Sequence, residues 1–395
     1  MRRNRDKTWY NRRMGSKKIK QNRGKKTARL GGILTRFVFA AVLAALGFSW
    51  PYLLAGRAAW IETYYSGTAY QLIRRAISLV TALVPFSIAE LALYSLSIGI
   101  PVLLLYRILQ LILQKADWKR LARTIASVLL AGAIVLNLFY ITWGFNYFRE
   151  PLAQRMGLVL LSRPVDELEA FVLKTAEEAR ETRATLREDE RGVFSPAESK
   201  SAILEDLPEA YAALAKKYPK FEPDPTRAKM ILWSRGLSWQ GIAGIYIGLT
   251  AEPNINADQP PLLLYQAAAH EMAHQTGIAG ENEAEFTAYL ACLQSSDPSV
   301  RYSGLMNALI LAGNALYQSD ASRYLAAAET YGEAIWRDLE DYDAYWSAFD
   351  GEVRESADKR NDAYLKHNAQ ESGVRSYGES VDLMLAFYAK YGKNG

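Results

Sequence analysis

The sequence predicts a mostly helical α+β chain in which a three-helix transmembrane region precedes a water-soluble domain. Three observations lead there. Apolar stretches long enough to cross a bilayer recur at about 30–55, 86–113 and 124–147. Beyond residue 148 the apolar positions mostly return at helical spacing. Only two short stretches there, AKMILW (228–233) and AGIYIGLT (243–250), are rich in β-branched and aromatic residues and read as strands. With 395 residues, 50% hydrophobic and 23% charged, the chain is long enough for more than one structural unit.

The elements follow in order. Residues 1–29 form a basic tail: positions 2–29 hold 13 Lys and Arg against one acid, Asp6, which leaves the rest of the chain at −7. The pI of 9.0 belongs to that tail, so no nucleic-acid partner is expected of the body. The tail lacks apolar periodicity, reads as disordered, and by the positive-inside rule holds the N-terminus in the cytoplasm; binding of anionic lipid or RNA is the sharper alternative. The first apolar stretch, with Arg36 near its basic end, is too long for a signal-peptide core and reads as a retained anchor.

Residues 68–84 place Leu72, Ala76, Leu79 and Leu83 at helical spacing. Two readings stand: an amphipathic helix lying on the outer membrane surface against lipid, or a helix packed on neighbouring spans. The second span contains Pro101, and Glu90 near its end reads as an interfacial carboxylate. Lys115, Lys119, Arg120 and Arg123 put the next connection in the cytoplasm. The third span is uncharged, with Asn137 its one strongly polar interior residue. Three spans from a cytoplasmic N-terminus make 30–147 a membrane region and 148–395 an extracytoplasmic domain.

In that domain Val165–Asp189 and Pro208–Lys217 carry helical patterns. Ser195, Pro196 and Glu198 read as N-cap, first helical residue and capping-box partner. SRGLSWQGI between the two strands and AEPNIN after the second read as loops. A helix is expected from about Leu262 to Gln275, with Gly277 as its C-terminal punctuation, and helices return from Val300 onward. The single cysteine, Cys292, excludes an intrachain disulfide and reads as a small buried hydrophobe.

Chemistry concentrates in HEMAH, His270 to His274. Two of the chain's three histidines fall here four apart, so on a helix both project from one face and reach one ion. This is the His-Glu-x-x-His pattern of zinc hydrolases, with Glu271 beside the open position to take a proton from metal-bound water. A third protein ligand is expected. Glu281 and Glu285 share a face of the next helix, so Glu281 is expected to ligate Zn2+ and Glu285 to hydrogen-bond the outer nitrogen of a ligating histidine; Glu283 is the alternative ligand. Tyr302 and Tyr377 are candidate donors to a scissile carbonyl. His367 is the only further histidine that could contribute to the site.

The strand at 243–250 is expected to take extended substrate by β-augmentation, with Asn254 and Asn256 anchoring its backbone or else making ordinary turns. The expected partners are a peptide or protein substrate and membrane lipid.

HEMAHQTGIAGENEAEFTAYLAC, RYSG and NDAYLKHNAQESGVRSYGESVDL together resemble an uncharacterised family of bacterial membrane proteins with three N-terminal spans and an outward-facing His-Glu-x-x-His domain. The resemblance covers about residues 30–392 and implies a bacterial cell membrane location. More broadly the site is similar to zincin-like metallopeptidases in which a glutamate is the third ligand, though Glu285 stands where several of these carry Asp or Asn. Gly280 stands where a metzincin would have its third histidine, which excludes that site. The resemblance implies a zincin-like domain and hydrolysis of peptide bonds by zinc-activated water with Glu271 as general base. A zinc amidohydrolase of envelope material, and a membrane scaffold with a structural zinc, are the alternatives.

Overall fold

The computed structural model describes residues 30–115, 117–161, 163–368 and 376–392. The basic tail lies outside them. The described chain is mostly helical, and three of its helices are long and apolar enough to cross a membrane: α1 (Leu30–Leu54), α3 (Ile88–Ile112) and α4 (Trp118–Thr142). Between α1 and α3 lie a π-helical segment, Ile61–Ala69, and α2 (Tyr70–Thr81).

Against the expected 124–147, α4 starts six residues earlier and ends before Trp143. Lys119, Arg120 and Arg123 are good helix formers whose long side chains tolerate a position beyond the apolar stretch. At the other end a 3₁₀ turn over Gly144–Phe148 buries Trp143 and Phe148 among the residues that follow.

The chain divides into two compact units, one of residues 1–50 and 92–140, the other of residues 51–91 and 141–395. In the first, α1 and α4 meet where Gly47 leaves no room for a Cβ, which would lie 2.5 Å from Leu136. Beside that contact Asn137 accepts from the Trp50 indole at 3.0 Å and donates to Leu43 and Ala133 carbonyls at 2.8 Å. Asn137 thus acts as a bracket between the two helices.

The second unit is larger than a partition at residue 148 would make it, because segments 51–91 and 141–147 are built into it. After α5 (Val165–Arg183) comes α6 (Lys200–Lys217), which starts four residues later than Ser195 and Pro196 suggest. Phe194 is buried, its N–H donates to Asp338, and Ser195 N–H donates to Arg187, so this stretch is pinned as a turn. Ser199 caps α6 instead, accepting from Ala202 N–H.

The strands are short: β1 (Lys229–Met230), β2 (Gly244–Ile247) and β3 (Glu252–Ile255), in the order β1-β3-β2, with β1 parallel and β2 antiparallel to β3. β3 falls on AEPNIN, which reads as a substrate anchor or as ordinary turns; its Pro253 pairs opposite Tyr246, at a position that needs no N–H. SRGLSWQGI, which reads as a loop or turn, opens instead with a short helix, Ser234–Ser238, and another covers Leu152–Met156; the longer helices are α7 (Pro261–Gln275), α8 (Glu281–Gln294), α9 (Pro298–Ser319), α10 (Ala321–Ala328), α11 (Glu333–Ser347), α12 (Glu352–His367) and α13 (Ser376–Tyr391). α7 is buried on every side from Leu262 to Gln275, enclosed by β2, β3, α6, α8 and α9. Ala267, Ala268 and Ala269 let these neighbours approach closely.

Candidate metal centre

Helix α7 delivers the two histidines side by side, with ring centroids 4.7 Å apart. Their tautomers are set from behind. Nδ1 of His270 meets the Glu285 carboxylate at 2.9 Å, and Nδ1 of His274 meets the Ile278 carbonyl at 2.7 Å. Gly277 makes the second contact possible, since its φ of +97° turns the chain back beneath His274.

With Nδ1 committed, each ring turns Nε2 toward Glu281, whose Oε2 lies 3.2 Å from His270 and 3.7 Å from His274. These ligand atoms all lie within 4.8 Å of one another, and they form the one such cluster among the described residues. Glu285 is itself fixed, accepting from Gln266 Nε2 at 2.6 Å and from the Asn307 side chain.

Charge supplies the test of whether a metal fits. Glu271, Glu281 and Glu285 bring three carboxylates to two imidazoles in a site where each His and Glu271 is 7% exposed. Burial works against a charged His270, yet the hydrogen bonds it donates to Glu281 and Glu285 prevail and hold its pKa well above the usual range. For Glu281, burial pushes upward, but the two imidazoles hold its carboxyl well below the usual carboxylate range. The cluster therefore draws positive charge to Nε2, and a divalent cation on two nitrogens and one carboxylate supplies it without the proton. The donor set fits zinc.

Glu271 lies against β2. It accepts the N–H of Tyr246, and burial pushes its pKa up. A Cβ on Gly244 would lie 2.7 Å from Glu271 Cγ, so only glycine lets β2 pass this close. Asn256 N–H donates to the Ala243 carbonyl, and the alternation of an antiparallel ladder then turns the backbone groups of Gly244 and Tyr246 away from β3. The edge of β2 away from β3 runs past the carboxylate, which takes its Tyr246 N–H.

The other expected site residues fall elsewhere. Glu283 points away, accepting Leu152 N–H at 2.5 Å. Tyr302 is fully buried and donates to Asp338 at 2.7 Å, remote from the ligand cluster. The side chain of Tyr377 lies outside the described residues. Asn254 spends its amide on the carbonyls of Ile245 and Glu252, and Asn256 on Ser238 and Ile242, so both hold the sheet rather than face a substrate. His367 is exposed on a cavity it shares with Tyr147 and Arg149, outside the ligand cluster.

Several residues at the site carried no expectation. Trp143 packs edge-to-face with His274 and Tyr246, ring centroids 5.8 and 4.9 Å apart, and the Tyr246 hydroxyl lies 3.2 Å from that of Tyr70. Tyr147 donates to Tyr364 at 3.1 Å, and burial, Tyr364 and Glu281 push its pKa well above the usual range. Arg149 grips Glu62 through two 2.8 Å bonds and donates to the Gly277 carbonyl at 2.7 Å, tying the turn beneath His274 to the segment before α2. Of these, only Gly244 left a local trace, a glycine inside a strand pattern.

The family described as "Protein of unknown function (DUF3810)" matches residues 65–385. No curated protein and no solved structure matches the chain.

Proposed function

The chain belongs to that family, and we propose that it is a membrane-anchored zinc metallopeptidase of zincin-like fold, with the site-bearing unit outside the cytoplasm. The observation that carries the reading is the convergence of two Nε2 atoms and the Glu281 carboxylate, with the Glu271 carboxylate close enough to feel both imidazoles. A structural zinc would need a fourth protein ligand, and His367 does not join the cluster. Zinc bound there supplies Lewis acidity, lowering the pKa of a water and polarising a carbonyl.

The chain's own groups do the rest. Glu285 and the Ile278 carbonyl hold the imidazoles in the ligating tautomer. The outward N–H and carbonyl of Gly244 and the carbonyl of Tyr246 receive an extended peptide as an added strand beside Glu271, which itself holds the Tyr246 N–H. Glu271 accepts the proton of the attacking water at a carboxylate oxygen and passes it to the leaving amine. The phenol near the cluster is Tyr147, in the place first given to Tyr302.

The test is metal content and peptide hydrolysis on the full chain in nanodiscs, using a library of quenched fluorescent peptides. Wild type and Glu271→Gln are expected to hold one zinc per chain, and Glu271→Gln to lose about 10²–10⁴-fold in rate. A wild-type chain that binds no zinc on addition of the metal overturns the reading. So does a Glu271→Gln variant of undiminished activity.

A further inference from the structure

The geometry points to a second membrane contact: the site-bearing unit rests on the lipid bilayer through one apolar face built from α2 and the loop after β1. This inference does not depend on the site being hydrolytic.

Helix α2 is oriented contrary to the usual rule. Its polar face is buried. Arg74 pairs with Asp224 at 2.6 Å, Gln71 donates to the Thr276 carbonyl at 3.0 Å, and the Tyr70 hydroxyl donates to the Gln275 carbonyl at 2.8 Å. Its apolar side is left outside, with Leu72 64%, Leu79 74% and Leu83, just beyond its end, 81% exposed. Arg75, between Leu72 and Leu79 on this face, is half-exposed and turned onto Asp224 at 2.8 Å, and an exposed apolar cluster beside such a basic residue marks an interaction surface.

The loop after β1 extends the same face. Lys229 Nζ donates to the carbonyls of Thr81 and Phe86, at 2.6 and 3.1 Å. The N–H groups of Leu232 and Trp233 each donate to Glu90 at 3.0 Å. Leu232, Trp233 and Trp239 are 78%, 58% and 54% exposed.

The occupant follows from the chain's course. Residues 82–87 lead directly into α3, whose first amides, at Ile88 and Ala89, are capped by Glu252. Leu232 and Trp233 are bonded to Glu90 in that same first turn, so they stand where a 25-residue apolar helix begins. A bilayer that takes up α3 meets them at its interface, the level where tryptophan is enriched. The ligand-bearing helix ends on the inner side of the same layer: the Gln275 side chain, next to His274, lies 3.3 Å from Ser78 on α2. One helix thickness, about 10 Å, separates that end from the lipid.

The test uses the full chain in nanodiscs of phosphatidylethanolamine and phosphatidylglycerol. A nitroxide is placed singly at Leu79→Cys, Leu83→Cys, Leu232→Cys or Trp239→Cys in a Cys292→Ala background, with Glu333→Cys on α11 as the water-exposed control. Collision with oxygen is compared with collision with a water-soluble nickel chelate. The oxygen-to-nickel ratio is expected to be several-fold higher at the four positions than at Glu333. Equal ratios would show the face in water, and exclusion of both reagents with spin–spin broadening would show a second copy covering it; either result overturns the inference.

Discussion

The site-bearing unit contains two buried polar clusters that look alike in composition and differ in closure. Around Asp338, Arg183 pairs at 2.6 Å, Tyr302 donates at 2.7 Å and the Phe194 N–H at 2.7 Å, so one carboxylate is met by one guanidinium and two further donors. Around His270 and His274, each ring spends one nitrogen on the protein and aims the other at a shared carboxylate. The first cluster is complete as protein. In the second, lone pairs and negative charge converge on a common point. Burial alone does not mark a ligand site; donors and charges left facing one point do.

The comparison can be broken most forcefully by removing one partner from each cluster. Asp338→Ala takes the buried counter-ion from Arg183, leaving it only the part-exposed Glu188 at 3.0 Å, and is expected to cost about 3 kcal/mol in a denaturant titration, with zinc content unchanged in the folded fraction. His274→Ala is expected to do the reverse, abolishing bound zinc while the metal-free protein keeps its denaturation midpoint. If both variants lose both properties in step, the clusters are one cooperative unit and the distinction fails.

A smaller effect sharpens the ligand cluster itself. Glu285→Gln keeps an acceptor for Gln266 and Asn307 but takes the charge from the group behind His270. Zinc affinity should fall about 10–100-fold by chelator competition, without change of stoichiometry. An unchanged affinity would mean that Glu285 only packs the helix.

The smallest effect separates the two tyrosines. Tyr302→Phe deprives Asp338 of one donor and should cost about 1–3 kcal/mol of stability while leaving hydrolysis intact. Tyr147→Phe should lower kcat with little loss of stability. An activity loss in Tyr302→Phe alone would return that residue to the chemistry.

What was legible in the sequence was local. The four-residue spacing of His270 and His274 and of Glu281 and Glu285 is a property of one helix each, and the structure keeps both pairs on their faces. The apolar stretches of the spans were equally plain, to within a few residues except at the start of α4. What was not legible depended on distant partners. Trp143 and Tyr70 reach the site from more than a hundred residues away, and nothing beside them in sequence announces it. The same cause defeated the capping box at Ser195, where Asp338 fixes the backbone of Phe194 and overrides a good local signal. It also governs α2: its apolar periodicity was visible, but that its polar side would be the buried one depends on carbonyls at the end of α7.

Those carbonyls set a timetable for the newborn chain. Tyr70 and Gln71 bond to residues made 205 positions later. At about 5–20 residues per second, the ribosome delivers those partners roughly 10–40 s after the early segment has emerged. Until then the Tyr70 hydroxyl lacks its native acceptor, while Gln71 and Arg74 have only the local bonds to Ser66 and to each other, and two apolar helices are synthesised in between. The first part of this unit to be made must be among the last to settle.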